Sequence, residues 1–248
     1  MALCTSSLEK RTSGSPDRTR GALWARAAGW WVADYAFVAA WQVRAAFNAS
    51  DPWTFQSGAK APVVVLPGVY ESWKFLEPLV AKLHSQGHPV HVMPKLKMNL
   101  RHVPESAAIV TRHLELHDLH GVIIVAHSKG GLIGKQVMVQ PEGIRRVKGM
   151  VAIATPFGGS MYARYMLARS LRIFSPHDET IRALAQDEQV NSRIVSIYGS
   201  FDPHIPARSA LHGARNVELT TGGHFRILAR PEVLEEVERL AGSAATAE

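Results

Sequence analysis

From residue 62 onward, short apolar runs rich in β-branched residues alternate with longer segments of helical periodicity. Runs such as VVVL and VIIVA suit strands that are buried on both faces of a sheet. Strands that alternate with helices form βαβ units, in which the strands run parallel. The sequence therefore predicts an α/β fold with a mostly parallel central sheet flanked by helices. The predicted strands are Pro62–Leu66, Val90–Met93, Val122–Ala126, Val147–Ile153, Arg193–Tyr198 and Val217–Thr220. The predicted helices are Ser72–Ser85, Glu105–His117, Gly130–Val139 and Pro231–Leu240.

The chain of 248 residues is long enough for one sizeable α/β core, which we assign to residues 61–248 with a small helical cap at about 157–190. Residues 1–21 are rich in Ser, Thr, Arg and Gly and lack periodicity, which predicts a disordered leader. Residues 22–60 are predicted to form a Trp-rich helix and a linker. Four of the six tryptophans lie in this helix: Trp24, Trp30, Trp31 and Trp41.

The Trp-rich segment 22–47 has two interpretations. Arg26, Asp34, Gln42 and Arg44 interrupt it, which argues against a membrane span. It is either a helix packed across the main domain or an interfacial helix that contacts a lipid surface with its Trp and Arg side chains. The leader has no apolar stretch of the kind that a secretory signal needs, and with a single cysteine no intramolecular disulfide can form. We therefore expect a cytoplasmic protein, with peripheral membrane contact through residues 22–47 left open.

The formal net charge is +7, from 28 Lys and Arg against 21 Asp and Glu. Much of the excess lies in the first 26 residues and between Lys95 and Arg101, and no nucleic-acid-binding motif accompanies it. We therefore interpret it mainly as solvated surface and expect no nucleic-acid partner.

The strongest motif is GVIIVAHSKGG at residues 121–131, in which a buried strand passes into a helix with Ser128 at the junction. It resembles a nucleophile elbow, G-x-S-x-G, whose small residues let the chain turn sharply and hold the serine hydroxyl above the sheet. Ala126 stands at the first glycine position and Gly130 at the second. This motif makes Ser128 the candidate nucleophile.

On these features, residues 62–241 resemble the α/β-hydrolase superfamily, with small bacterial lipases and carboxylesterases as the nearest members. A further stretch, ATPFGGS at residues 154–160, is similar to the T-P-H-x-G-S segment of lipases, with Phe157 at the histidine position. The resemblance implies an acyl-enzyme mechanism without a cofactor. The segment from Met161 to Phe174 follows as a predicted helix that caps the site or merely connects two strands.

The resemblance also implies the order serine, acid, histidine along the chain. His224 lies in TTGGHF after the last predicted strand, where the family places its catalytic base. Asp202 follows an apolar strand and a glycine turn, which is the form of the family's acid loop. His204, on the same loop as Asp202, is the competing base and ranks below His224.

A developing oxyanion needs two backbone N–H donors that are already aimed at it. The resemblance assigns one of them to Lys129, which follows the nucleophile at a helix start. The other is assigned to Val69 in the PGVYES loop after the strand VVVL, with Tyr70 as the second choice.

The predicted activity is serine-dependent hydrolysis of a small-molecule or lipid-like acyl ester. Because this scaffold hosts many chemistries, three alternatives stay open: an acyltransferase, a thioesterase, and a catalytically silent scaffold that binds a membrane or a protein. His113 and His117 are four residues apart, but the Glu that a zinc-protease helix needs beside the first His is absent. We therefore predict no metal site.

Overall fold

A six-stranded, all-parallel sheet forms the centre of the protein. The computed structural model describes residues 16–165, 169–206 and 209–243. Within them the strand order is β2-β1-β3-β4-β5-β6, which confirms the predicted fold class. The strands are β1 (Val63–Leu66), β2 (Val90–Val92), β3 (Val122–His127), β4 (Val147–Ile153), β5 (Ile194–Phe201) and β6 (Arg215–Gly222).

Both faces of this sheet are buried. Along β1, Val64 and Leu66 pack on one face, while Val63 and Val65 pack on the other. Successive side chains of a strand point to opposite faces, so a run without a polar residue buries both. This explains why the sequences VVVL of β1 and VIIVA of β3 are continuously apolar.

The strand order reverses between β1 and β3. The chain passes from β1 outward to β2, crosses back to β3 and then continues to β6 on the other side. The loops that leave β1 and β3 therefore diverge, and a crevice opens at the carboxyl ends of these two strands, where α/β sheets bind ligands. The loop at residues 67–72 and the start of the helix after β3 both border this crevice.

Eight α-helices lie in the described ranges, and several differ from the prediction. The segment from Met161 to Phe174 is a short 3-10 helix, Met161–Tyr165, followed by a four-residue α-helix instead of one continuous helix. Two further helices, Pro141–Arg146 and Glu179–Gln186, were not predicted individually. The α-helices are α1 (Pro16–Phe47), α2 (Glu77–Ser85), α3 (Val103–Leu116), α4 (Lys129–Met138), α5 (Pro141–Arg146), α6 (Arg169–Arg172), α7 (Glu179–Gln186) and α8 (Pro231–Gly242).

The first helix is longer than predicted and belongs to the body of the protein. It starts at Pro16, a residue suited to a first helical turn, although residues 16–21 were assigned to the leader; residues 1–15 lie outside the described part. Its Trp41 ring packs edge-on against Phe75, and its Trp30 ring stacks on Phe201 at the end of β5. The helix therefore lies across the sheet end that carries the crevice. No helix in the described ranges has the length and apolar character that a membrane crossing requires.

Candidate active site

Ser128 sits at the junction of β3 and α4 in a strained backbone conformation. Its φ is 50° and its ψ is −117°, values that an L-residue adopts only when its surroundings impose them. A Cβ on Gly130 would overlap the carbonyl oxygen of Leu66, so glycine at this position lets α4 begin directly above β1. Ala126, at the first small position of the motif, fits into the buried strand with its methyl group in the core.

Asp202 and His224 are joined by a buried hydrogen bond. His224 Nδ1 lies 2.8 Å from Asp202 Oδ2, and both side chains are almost fully shielded from solvent. Burial raises the pKa of Asp202, but the charge and hydrogen bond of His224 outweigh it, and the pKa settles at about 2. An ionised carboxylate can only accept, so Nδ1 donates its proton and Nε2 is the lone-pair nitrogen of the neutral ring.

One apolar cavity of about 310 Å³ connects the serine and the histidine. Ser128 and His224 both line it, together with Val69. Within the described residues no hydrogen bond joins Ser128 Oγ to His224; the two residues share the wall of the cavity. Apolar side chains make up more than half of the remaining lining: Val38, Pro156, Ala163, Leu171, Phe174, Ile205 and Phe225.

The amides of Val69 and Lys129 flank the same crevice. Across the described part of the chain, neither amide has a hydrogen-bond acceptor, whereas the neighbouring Gly68 amide bonds to Glu71 and the Tyr70 amide bonds to Met98 O. Tyr70, the second choice for the oxyanion donor, thus has its N–H occupied at 2.9 Å. The two predicted amides are therefore free to bind an anion.

The Lys129 side chain supports the loop after β1 indirectly. Its ammonium is buried and donates to the carbonyl oxygens of Asn99 and Arg101. Asn99 in turn donates from Nδ2 to Pro67 O at 2.7 Å, next to the Val69 segment. Burial lowers the pKa of Lys129 to about 8, against the opposing charge of Glu105.

His127, the residue before the serine, forms a buried pair with Glu71. Its Nδ1 lies 2.8 Å from Glu71 Oε1, and its Nε2 lies 3.1 Å from the carbonyl oxygen of His224. A carbonyl oxygen only accepts, so Nε2 is the donor in the second of these contacts. Glu71 also accepts the Gly68 amide at 2.7 Å. The pair thus links the loop after β1 to the loop that carries His224.

Asp34 of α1 contacts the loop that carries His224, residues 223–226, from the other side; we call this segment the histidine loop. Its carboxylate is fully buried and accepts the backbone N–H groups of His224, Phe225 and Arg226 at 2.8, 2.9 and 2.9 Å. Sequence reasoning missed this role, as it missed those of Glu71 and His127. The available signal was that Asp34 is the only acidic residue between Asp17 and Asp51, in a segment that is otherwise apolar and basic.

Three carboxylates lie near the His224 ring and affect its pKa. Burial lowers its pKa, but the carboxylates of Asp202, Glu71 and Asp34 raise it, and the net direction is upward. His204, the competing base, has its ring centroid 4.9 Å from that of His224 and places Nε2 3.2 Å from the hydroxyl of Tyr35. Burial and the nearby His224 lower the pKa of His204 to about 4, so its ring is neutral at pH 7.

A second histidine group lies away from the cavity. The rings of His91, His113 and His117 contact one another with centroids 4.3 to 5.6 Å apart. Burial lowers the pKa of His91 and of His113 to about 4, so both rings pack as neutral aromatics at pH 7. Over residues 16–165, 169–206 and 209–243, no group of three or more His, Cys, Asp or Glu is arranged to hold a metal ion.

Comparison with known proteins gives a likeness in structure alone. No protein-family model matches the sequence, and no curated protein matches it either. Among solved structures, the mature form of Bacillus licheniformis lipase BlEst2 has a TM-score of 0.60 at 16% identity, covering 77% of this chain and 96% of the lipase. The type II thioesterase BorB from the borrelidin biosynthetic cluster has a TM-score of 0.54 at 17% identity, covering 80% of this chain and 100% of its own.

An extracellular alpha/beta-hydrolase from a Paenibacillus species is similar over 74% of this chain and 100% of its own, with a TM-score of 0.50 at 17% identity. The three proteins differ in the activities that their names give, but they share one arrangement of a parallel sheet between helices. At sequence identities this low, similarity in structure establishes the fold alone. The chain accordingly has the α/β-hydrolase fold.

Proposed function

We propose that the protein is a serine hydrolase that cleaves carboxylic esters through an acyl-enzyme on Ser128. One observation carries the proposal. A serine in a strained strand-to-helix turn shares a cavity with His224, whose Nδ1 donates to a buried, ionised Asp202. A serine hydroxyl becomes a nucleophile when a neighbouring base takes its proton, and the base needs a carboxylate that fixes its tautomer.

In this mechanism His224 Nε2 removes the Ser128 proton as Oγ attacks the ester carbonyl. The carbonyl π electrons move to oxygen, and the amides of Val69 and Lys129 stabilise the resulting oxyanion. Collapse of the intermediate expels the alcohol, which takes the proton from His224. Water, deprotonated by His224, then attacks the acyl-enzyme, releases the acid and restores Ser128.

An acyl chain is the part of the substrate that fits the cavity. The lining is mainly apolar, so the cavity supplies few polar partners beyond those of the reacting groups. Its volume of about 310 Å³ is at the lower end of the range for small-molecule sites, roughly 300 to 1,000 Å³. We therefore expect short and medium acyl chains to be preferred to long ones.

Hydrolysis of p-nitrophenyl esters from acetyl to palmitoyl tests this function. Wild-type protein should release p-nitrophenol, and Ser128→Ala should lose at least about a thousandfold in kcat, as removal of a catalytic nucleophile does. A fluorophosphonate probe should label wild type but not Ser128→Ala. Ser160→Ala, which removes another serine of the cavity wall, is the matched control and should still be labelled.

The result also separates the related activities. Turnover that rises when an alcohol acceptor is added, with ester as the product, would favour an acyltransferase. Faster turnover of thioesters than of oxygen esters would favour a thioesterase. Wild type that neither hydrolyses these substrates nor reacts with the probe would contradict the proposed function and favour a non-catalytic scaffold.

We further propose that α1 contacts an anionic lipid surface. Between residues 27 and 43 the only charged side chain is Asp34, which is buried, so the solvent-facing side of the helix is uncharged there. Trp31, Val32, Tyr35 and Val43 are exposed on it. Arg26 is exposed at one end of this face, and the net charge of +7 favours an anionic surface. Val38 and Gln42 of the same helix line the cavity, so a lipid ester bound there would lie close to the surface.

A further inference from the structure

The buried carboxylate of Asp34 is an unusual feature of a helix that is otherwise apolar. It has no cationic side-chain partner within hydrogen-bond distance among the described residues. It instead accepts three consecutive backbone amides, from residues that are 190 to 192 positions away in the chain. A buried carboxylate is stable only when its lone pairs are satisfied, and charge-assisted bonds to amides are among the stronger hydrogen bonds in proteins.

The local structure of the histidine loop is fitted to this carboxylate. The three amides converge at the start of the 3-10 helix Arg226–Ala229, where backbone N–H groups have no partners of their own. Gly223 has a φ of +120°, and a Cβ on it would lie 2.5 Å from Asp34 Oδ1. Glycine at 223 therefore provides both the turn and the space for the carboxylate.

The contact acts on His224 itself as well as on the loop around it. Asp34 Oδ2 takes the N–H of His224, while His127 Nε2 donates to the carbonyl oxygen of the same residue. The peptide groups on both sides of the His224 Cα are thereby held, and the imidazole can turn only about its side-chain torsions. Its Nδ1 bond to Asp202 then fixes those torsions.

We propose that Asp34 is a positioning residue for the base: by binding three amides of the histidine loop, it sets the place of the His224 ring relative to Ser128. The proposal rests on the assignment of His224 as the general base in the proposed function. Through its charge, Asp34 also favours the protonated ring that forms when His224 has taken the serine proton. A contact that served only to attach α1 would not set the place of the ring.

Asp34→Asn tests the proposal, because the variant keeps one side-chain oxygen and nearly the same volume. The oxygen can still accept from Phe225 and Arg226, but the amide NH₂ faces the His224 N–H, and the negative charge is gone. We expect fluorophosphonate labelling and kcat to fall about 10- to 100-fold with little change in KM, as a small misplacement of a catalytic group does. The acid limb of the kcat/KM profile should move to lower pH, because removing a negative charge lowers the pKa of His224.

Arg44→Met is the matched control. It breaks the ion pair of 2.8 Å between Arg44 and Glu77, which attaches the other end of α1 to the body of the protein. It should lower the Tm without moving the acid limb or reducing kcat in the folded protein. Asp34→Asn that keeps wild-type kcat and an unchanged acid limb would overturn the proposal. Equal losses of kcat in Asp34→Asn and Arg44→Met, at equal losses of Tm, would also overturn the proposal.

A titration by NMR distinguishes failure of this proposal from failure of the proposed function. The ring ¹⁵N signals of His224, assigned with a His224→Gln variant, report its pKa whether or not the protein hydrolyses esters. A lower pKa in Asp34→Asn than in wild type supports the proposal, and equal values contradict it. Absence of turnover and labelling in wild type would reject only the ester hydrolase assignment.

Discussion

The imidazole of His224 is fixed through its ring and through both sides of its backbone. Asp202 binds Nδ1, Asp34 binds the amide, and His127 binds the carbonyl oxygen. A base that is held in this way needs little reorganisation before proton transfer, which is one source of catalytic rate in preorganised sites. The backbone of His204 is held as well, at its amide by Asp202 and at its carbonyl oxygen by Ser160, but its ring contacts the hydroxyl of Tyr35 instead of a carboxylate.

Replacing the two histidines separately should distinguish their roles. His224→Ala should reduce kcat at least about a thousandfold, since it removes the general base. His204→Ala should leave most of the activity, because its ring is a neighbour of the base and does not carry the proton. Hydrolysis of the best p-nitrophenyl ester measures both. Equal losses in the two variants would contradict the assignment of His224 as the base.

The pH profile of wild type follows from the raised pKa of His224. The neutral ring is the active form, so kcat/KM should fall as the pH drops through that pKa, and the midpoint should lie above the ordinary histidine value of about 6.5. His204, with a pKa of about 4, does not change charge in this window. A midpoint well below 6 would contradict the electrostatic description of the site.

At the scale of single residues, the sequence was informative where a local motif fixes the position of a side chain. Ser128 stands in a recognisable strand-to-helix turn, and Asp202 and His224 were predicted from their places after strands; the structure joins these two by a hydrogen bond. Their catalytic roles stay predictions until the variants are measured. Asp34, Glu71 and His127 could not be assigned in the same way, because their partners lie 56 to 192 residues away and no local pattern records such contacts.

At the scale of elements, the buried strands were the most predictable part. β4 has the predicted bounds, since its apolar run lies between the arginines at 145 and 146 and the turn that contains Pro156. β6 extends further than predicted at both ends, because it is an edge strand whose exposed residues are polar. The capping segment was the least predictable. Its apolar and arginine-bearing sequence suggested one helix between Met161 and Phe174, whereas a backbone hydrogen bond of 2.7 Å joins Ser160 to Phe174.

The Lys129 side chain holds the loop that contains Asn99 and Arg101, and this loop in turn supports the loop after β1. Lys129→Met keeps the backbone amide of Lys129 but removes the bonds to the Asn99 and Arg101 carbonyls. We expect kcat to fall roughly tenfold, less than the effect of deleting an oxyanion donor, because the Val69 amide shifts but remains. Stopped-flow measurement of acylation would report the loss directly.

Lys135→Met is the control for this variant. Lys135 is also buried on α4, but its ammonium lies 6.0 Å from the Phe157 ring, away from the loop after β1. Its replacement should leave kcat unchanged. An equal loss of activity in both variants would show that any change of a buried lysine on this helix disturbs the site, and would reject a specific role for Lys129.

At the scale of the whole molecule, the proposed lipid contact of α1 can be tested with vesicles. The protein should cosediment with vesicles of phosphatidylglycerol and phosphatidylcholine more than with phosphatidylcholine alone, and salt should weaken binding. Val32→Glu combined with Val43→Glu should abolish it, since both side chains are exposed on the uncharged face.

Leu116→Glu combined with Ile144→Glu adds the same charge at exposed positions elsewhere and should bind like wild type. Equal loss of binding in the two double variants would contradict the role of α1. The role of α1 would also be contradicted if wild type bound no vesicles and formed a dimer that Val32→Glu/Val43→Glu converted to a monomer. The uncharged face would then be a contact between two copies of the chain.

The contact between Asp34 and the His224 loop also has a consequence for the order of events during synthesis. The helix emerges from the ribosome first, but the amides that satisfy its carboxylate emerge 190 residues later, which is roughly 10 to 40 s at cellular rates of translation. During that interval the ring of Trp30 lacks Phe201, its later partner, and the apolar helix is open to chaperones and to aggregation. The candidate base can adopt its final position only after the nascent chain has delivered β6 and the loop beyond it. Formation of the site would thus follow the synthesis of all six strands of the sheet.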